Sequence, residues 1–172
     1  MDERLDIIYR RRSVRAYQDK EIEDSVVREI LEAAMAAPSA VAKDPWHFIV
    51  VRNSETLKRT AEALPYGKML GDAPLGIIVC GDIHQAHDEQ ESYLLQDCAA
   101  AIENLLVGAA ALRVGSCWLG VHPRQERIDH VRAVFELPTH IIPVSAIALG
   151  YPDETASPRT RYREEAVHTE NW

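Results

Sequence analysis

Residues 91–121, ESYLLQDCAAAIENLLVGAAALRVGSCWLGV, contain the longest regular pattern in the chain. The part over 91–113 is rich in Ala, and its second half is apolar nearly all round, which predicts a long helix buried on more than one side. The part over 115–121 is a short apolar run that predicts a strand. We expect the small residues of the helix to let a second helix approach closely.

Apolar residues at helical spacing predict further helices along the chain. They lie over 2–10, from Asp24 towards Pro38, over 55–63 and over 124–135, with Asp24 or Ser25 and Ser54 as N-cap residues. Further strands are predicted over 46–52, 75–81 and 141–149. Because Pro143 has no N–H to donate, the last of these strands is expected at a sheet edge or at a bulge.

The overall composition is that of a globular domain. The chain has 172 residues, of which 47% are hydrophobic and 27% charged, so one domain over 1–172 is expected. Four strands separated by helices predict a three-layer α/β or α+β fold. The segment 151–172 contains two prolines and several charges but little core material, and we expect it to extend away from its own core.

The charge balance and the cysteines exclude several classes of protein. The chain carries 19 Lys and Arg against 27 Asp and Glu, a net charge of −8, which argues against a nucleic-acid-binding surface. No apolar run approaches the ~20 residues of a membrane span, and the charged N-terminus does not match a signal peptide. Three cysteines without a CxxC pair favour reduced thiols. A cytoplasmic protein without membrane or nucleic-acid partners is therefore expected.

Seven arginines are concentrated in two short segments at opposite ends of the chain: Arg10, Arg11, Arg12 and Arg15, and Arg159, Arg161 and Arg163. Such clustering suits a phosphate, because guanidinium donors match its oxygens and bonds between charged groups are strong. The simpler alternative is a solvated basic turn. Neither GxxxxGK[ST] nor GxGxxG occurs, so the sequence favours a phosphate held by arginines over one held by a glycine loop.

Five motifs, in order, resemble the FMN-dependent nitroreductase family: RRSVRAY (11–17), APSA (37–40) with PWHFIVV (45–51), LQDCAAAIENLL (95–106), GSCWLGV (115–121) and IALGYP (147–152). The resemblance implies an α+β fold with a mostly antiparallel sheet flanked by helices. It also implies a homodimer with two FMN molecules, each bound at the subunit interface. The C-terminal extension over 151–172 would wrap the partner subunit.

The resemblance also implies which residues contact FMN. The first motif, which reaches the phosphate and the pyrimidine edge, supplies Arg11, Arg12, Ser13 and Arg15. The loop against the flavin ring, which usually comes from the other subunit, supplies Pro38, Ser39 and Ala40. Leu119 and Gly120 match the turn whose backbone approaches the flavin N5 and O4 atoms, and Arg159 and Arg161 match a basic pair that closes on the phosphate. The two arginine segments would then meet at one phosphate.

This sequence departs from the family at the loop before Pro45. The family usually has Asn and Gln at two positions that are Ala42 and Asp44 here. A carboxylate beside reduced, anionic flavin is unfavourable unless it is paired, and we expect Asp44 to pair with Lys43 or with an arginine.

The implied activity is an FMN-dependent NAD(P)H oxidoreductase. NADH or NADPH would reduce the flavin and leave, and a nitroaromatic, quinone or flavin acceptor would then take two electrons by a ping-pong mechanism, with no catalytic residue required from the protein. The alternatives are a specialised relative (a reductive dehalogenase or a flavin-destroying enzyme), a non-catalytic FMN carrier, and a metal-dependent hydrolase using His84 and His87.

Several single residues have both a functional and a simpler interpretation. Cys117 is expected to be a buried thiol, His122 a loop histidine, and Trp46 and Trp118 core residues. Trp172 is a candidate anchor on the partner subunit, and Lys68 a weak candidate for contact with a nicotinamide nucleotide phosphate. No metal-ligand set is predicted.

Overall fold

The computed structural model describes residues 2–158 and 160–172. Its centre is a fully antiparallel sheet of four strands in the order β1-β2-β4-β3. The strands are β1 (Trp46–Val51), β2 (Leu75–Asp82), β3 (Gly115–Gly120) and β4 (Ile141–Gly150). This arrangement confirms the predicted α+β class and places β3 at an edge of the sheet.

Helices cover both faces of the sheet and make three layers. The α-helices are α1 (Asp6–Arg10), α2 (Asp24–Met35), α3 (Ser54–Ala61), α4 (Lys68–Asp72), α5 (Glu91–Ala111) and α6 (Gln125–Phe135). Short 3-10 turns lie at Glu3–Leu5, Ala40–Ala42, His87–Glu89 and Glu164–Ala166. Ile77 and Val79 of β2 pack with α2 and α5, whereas Ile78 and Cys80 pack on the opposite face with α3 and α6. Strand β2 is therefore buried on both faces.

The long helix α5 is buried as its sequence predicts. Leu94, Ile102 and Leu105 are fully buried. A Cβ at Gly108 would lie 2.9 Å from the Cβ of Ala33 in α2, so the small residue allows the two helices to approach closely. By length and composition α5 could also span a membrane, but its apolar residues are used in this core.

The position of Pro143 differs in part from the expectation. Strand β4 lies between β2 and β3, so the edge placement was wrong. The alternative, a bulge, is confirmed: the pairing of β2 with β4 shifts between Val79 and Cys80, and Cys80 then faces Pro143. The irregular pairing accommodates the missing N–H within a central strand.

The helix ends also differ in detail from the sequence expectations. Asn53, and not Ser54, caps α3, and its side chain accepts the Thr56 amide at 2.9 Å. Helix α2 begins at Asp24, its N-cap residue is Glu23, and it has no side-chain cap; Asp24 forms an ion pair with Arg52 at 2.7 Å. It also ends at Met35, before Pro38. The five-residue α4 was not predicted, since it is too short to show periodicity.

An extended N-terminal segment lies against the end of the sheet. Ser13 forms a parallel bridge with Ser116 of β3, and the Val14 amide donates to the Ser116 carbonyl at 2.9 Å. Farther along, Tyr17 bridges Pro152, just beyond β4. The segment 13–17 therefore crosses from the edge strand to the last central strand.

Two facing glycines make room for this segment. Gly115 and Gly150 are partners across β3 and β4. A Cβ at Gly115 would lie 2.8 Å from Val14, and one at Gly150 would lie 2.7 Å from the ring of Tyr17. Contacts this short require displacement, so both positions need glycine for close packing.

We predict that G150A lowers the free energy of unfolding by about 1–3 kcal/mol, because the new methyl group must displace the Tyr17 ring. The matched control is G120A, where the nearest atom to an added Cβ is 3.9 Å away and the change should stay within about 0.5 kcal/mol. Urea denaturation measures both variants. Equal stabilities would contradict the close packing of the segment on the sheet.

Candidate functional site

The first arginine segment divides its side chains between two sides. Arg12 and Val14, which is 8% exposed, line one cleft. Arg11, Ser13 and Arg15 lie outside that lining, as alternation about the extended bridge at Ser13 favours. We refer to these three residues as the Arg11 row.

Arg11 is held by helix α5. Its Nε lies 3.2 Å from Glu103 Oε1. A guanidinium carries five N–H donors, so this ion pair fixes the side chain and leaves donors for a further acceptor. Arg15 is exposed, and its Nη1 donates to the Ser13 carbonyl at 3.5 Å.

The C-terminal tail meets the same motif on its other side. Arg12 Nη1 donates to the Ser157 carbonyl at 2.6 Å, and Glu154 accepts the Arg15 amide at 2.5 Å. Arg159 lies outside the described residues, and Arg161 is exposed. The tail and the N-terminal motif are therefore in contact at Ser157, although the predicted meeting of the two arginine pairs at one phosphate stays a prediction.

The tail contact borders a cleft of about 630 Å³ on the Arg12 side. Its lining mixes cations with carboxylates and includes Arg10, Arg113, Glu3, Asp6 and Glu154. The acidic groups among its cations weaken the attraction of this cleft for a further anion.

The predicted flavin loop is anchored at both ends. The Ala40 amide donates to Asp97 Oδ1 at 2.8 Å. The Ser39 hydroxyl lies 2.5 Å from Asp44 Oδ1 and accepts the Asp44 amide at 3.0 Å. Asp44 therefore pairs with Ser39, and within 2–158 and 160–172 it forms no ion pair with Lys43 or an arginine. The Asp44 carboxylate therefore has its hydrogen-bond partner within the same loop, five residues away.

The same loop has an unusual backbone. Val41, Ala42 and Asp44 have φ of 54°, 53° and 50°, in the left-handed region where Asn and Asp are better tolerated than most residues. Ala42 occupies a position where the family that the sequence resembles usually has Asn. The left-handed conformation is therefore present here without the residue type that favours it.

Asp97 was not among the predicted site residues. It is 5% exposed, and its Oδ2 is buried without a hydrogen-bond partner among the described residues. The sequence feature that could have identified Asp97 is its position as a lone carboxylate within the apolar stretch LQDCAA. Asp97 and Glu103 are six residues apart on α5, an axial rise of about 9 Å, so one helix positions both the loop at Ala40 and the guanidinium of Arg11.

The predicted turn at the end of β3 has one buried and one solvent-exposed residue. Leu119 is 7% exposed, whereas Gly120 is exposed. The Gly120 carbonyl accepts Arg127 Nη1 at 2.9 Å. Just beyond, His122 Nε2 lies 3.0 Å from Glu91 of α5, so this loop histidine is also tied to the long helix.

The predicted core position of Trp118 was wrong. Its side chain is 39% exposed, whereas Trp46 is 7% exposed and does lie in the core. Cys117 and Leu119 point into the layer of α3 and α6, so Trp118 points to the opposite face of an edge strand. It borders a cavity of about 150 Å³ formed by 64–67, 118–120 and Arg127.

The histidine loop after β2 does not form a metal-ligand set. His84 stacks on His140 with ring centroids 5.2 Å apart, and its Nδ1 lies 3.6 Å from Glu89. Over 2–158 and 160–172, no group of three or more His, Cys, Asp or Glu side chains could hold a metal ion.

Comparison with known proteins identifies the family. The sequence profile of the nitroreductase family matches residues 8–64 and 59–151. A Methanothermobacter thermautotrophicus protein, provisionally named NADH dehydrogenase/NAD(P)H nitroreductase, is 44% identical over 168 residues, which are 98% of this chain and 87% of that protein. The chain belongs to the nitroreductase family.

Solved structures of nitroreductase-family proteins agree with this assignment. A Parabacteroides distasonis protein with the same provisional name is 35% identical, with a TM-score of 0.93 and full coverage of both chains. A provisionally named nitroreductase from Desulfovibrio desulfuricans, in complex with FMN, is 30% identical, with a TM-score of 0.84 over 100% of this chain and 99% of that one. The predicted family, its oxidoreductase class and the fold are confirmed.

The three thiols should be unreactive in the folded protein. Cys80, Cys98 and Cys117 are free and buried, and burial raises the pKa of Cys80 and of Cys98 to about 12. We predict that native protein near pH 8 resists alkylation by iodoacetamide, whereas protein in urea is modified at all three cysteines, as measured by mass spectrometry.

Because these thiols are buried, the free energy of unfolding decreases at alkaline pH. The pKa of Cys80 and of Cys98 in the folded protein lies above the ordinary value of 9.0. The contribution of the protonated thiols to the free energy of unfolding is therefore fully present below pH 9 and is lost as the pH rises towards 12. Rapid alkylation of Cys80 or Cys98 in native protein would contradict the buried placement.

Proposed function

We propose that the chain is an FMN-dependent NAD(P)H oxidoreductase that passes two electrons, by a ping-pong mechanism, to nitroaromatic, quinone or flavin acceptors. The observation that carries this proposal is the arrangement along the edge strand β3. Ser13 bridges Ser116 at one end of the strand, and the exposed Gly120 lies at the other. The donor row and the open turn are thus positioned by a single strand.

The dimensions and the donors of this edge suit FMN. Ser116 and Gly120 are four residues apart, about 13 Å along a strand, a span comparable with the length of the cofactor. The row of Arg11, Ser13 and Arg15 offers two guanidinium groups and a hydroxyl to a phosphate or a pyrimidine edge. The FMN complex of the related Desulfovibrio protein supports the same cofactor for this chain.

Bound FMN would supply the redox chemistry, accepting a hydride and releasing two electrons. The protein then binds and orients the reactants. The positive charge of Arg15 favours negative charge on the reduced cofactor. Asp97 keeps the loop of Pro38, Ser39 and Ala40 in position through the Ala40 amide, and Arg127 fixes the Gly120 peptide through its carbonyl.

We also propose a cytoplasmic homodimer in which the tail packs on the partner subunit. The tail exposes Tyr162 at 72%, Val167 at 56% and Trp172 at 101%, and Trp172 stacks on the nearby His168 with ring centroids 4.4 Å apart. Exposed aromatic groups on a segment without its own core are typical of an interface. A second chain would also place another copy of the loop 38–40 near the flavin edge.

The alternatives within flavin chemistry are a reductive dehalogenase or flavin-destroying enzyme and a non-catalytic FMN carrier. The segment between α3 and β2 contains only the five-residue α4, which leaves little chain for a large lid and favours the general oxidoreductase.

Anaerobic reduction distinguishes the oxidoreductase from a carrier. We predict that FMN-loaded protein loses its visible flavin absorbance on addition of NADH or NADPH and regains it when a nitroaromatic or quinone acceptor is added. The absorbance is followed by stopped flow with each nucleotide. Bound flavin that keeps its absorbance with both nucleotides would contradict the oxidoreductase and favour the carrier.

A phosphate on the Arg11 row can be tested by binding. We predict that R11A raises the dissociation constant for FMN roughly 10- to 100-fold, because a charge-assisted hydrogen bond is lost. The double variant R159A/R161A should also weaken binding. Fluorescence titration of FMN-free protein measures the constant.

The matched control for R11A is R28A. Arg28 is paired with Glu32 on the exposed face of α2, and its removal should leave FMN affinity unchanged. Identical FMN affinities for the wild-type protein and R11A would overturn the phosphate assignment.

A further inference from the structure

We propose that the cavity between the segment 64–67 and the end of β3 binds the carboxylate, or a similar oxyanion, of a single-ring aromatic acceptor, and that Arg127 recognises this anion. The inference rests on the proposed oxidoreductase function, since that reaction requires an acceptor. It adds a preferred substrate class and the residue that determines the preference.

The cavity has the size and the lining for one aromatic ring. Its volume is about 150 Å³, and an apolar cavity of about this size can hold a benzene ring. Tyr66 and Trp118 border it with side chains that are 87% and 39% exposed. Aromatic side chains that are open to solvent offer faces and edges for stacking a flat ligand.

Arg127 brings an unbalanced positive charge to this cavity. It is partly buried, and its Nε is fully buried with no hydrogen-bond acceptor in the part of the chain described. The ion pairs formed there by Arg11, Arg28 and Arg52 have no counterpart at Arg127. The buried Nε cannot itself reach a ligand, but the guanidinium charge is delocalised, and an anion bound at the remaining Nη donors would balance it.

The position of Arg127 links anion binding to the reaction site. Its Nη1 is used by the Gly120 carbonyl at 2.9 Å, which fixes the guanidinium plane beside the turn. Arg127 also lies in the first turn of the 11-residue α6, where the helix dipole adds positive potential. An acceptor whose carboxylate binds Arg127 therefore has its ring beside Gly120.

The anion could instead be a phosphate of the nicotinamide donor. The small volume favours a single-ring acceptor over a dinucleotide, whose phosphates are joined to bulky ribose groups. The experiment therefore includes both nucleotides as separate arms.

The test compares 4-nitrobenzoate with 4-nitrobenzamide, which differ in charge but hardly in shape, as acceptors for FMN-loaded protein. We expect R127Q to lower the ratio of kcat/KM for 4-nitrobenzoate to kcat/KM for 4-nitrobenzamide roughly 10- to 100-fold; loss of the Gly120 contact affects both acceptors alike and cancels in this ratio. R127K, which keeps the charge, should retain part of the preference. The matched control is R124Q, since Arg124 is exposed and lies outside the cavity lining.

A binding measurement separates this inference from the proposed function. Calorimetry of FMN-loaded protein should show benzoate binding more tightly than benzamide, and R127Q should remove the difference. Equal losses for both nitro compounds, or benzoate affinity unchanged in R127Q, would overturn the anion site. A change confined to the KM of NADH or NADPH would assign Arg127 to the donor and overturn it too. Absence of turnover with every acceptor would instead count against the proposed function, and the benzoate titration would still decide the site.

Discussion

The hydrogen bond from the Val14 amide to the Ser116 carbonyl fixes the position on which the rest of the candidate site depends. It holds the N-terminal segment in an extended conformation, so that alternate side chains point to opposite sides. Val14 is thereby buried, and Arg11, Ser13 and Arg15 form the outward row. Without this contact, nothing would fix the direction of these side chains, and the three donors would not be held on one side.

Helix α5 is the second support of the site. Its buried residues are almost all apolar and pack between α2 and the sheet. Three of its polar side chains each hold one part of the site: Glu91 contacts His122, Asp97 accepts the Ala40 amide, and Glu103 pairs with Arg11. Asn104 instead donates to Ala33 of α2. The core helix therefore connects the loop, the arginine motif and the turn, although these come from distant parts of the sequence.

Most of the fold was predictable because apolar patterning identifies buried strands and long helices. The burial of β2 and of α5 follows from their continuous apolar residues. Trp118 was misplaced because an apolar strand does not reveal that it lies at an edge. Asp97 and Arg127 were missed for a related reason: each acts through a backbone group, that of Ala40 or of Gly120, and the apolar pattern does not reveal contacts with backbone groups.

We propose that FMN lies along β3 with its phosphate on the side of Arg11, Ser13 and Arg15. A crystal structure of the FMN-loaded protein would give the distances from the phosphate oxygens to the guanidinium groups. We expect hydrogen bonds from Arg11 and Ser13 to the phosphate, with the flavin ring beside Gly120. A phosphate found in the cleft of Arg12 and Arg113, on the opposite side of the segment, would contradict it.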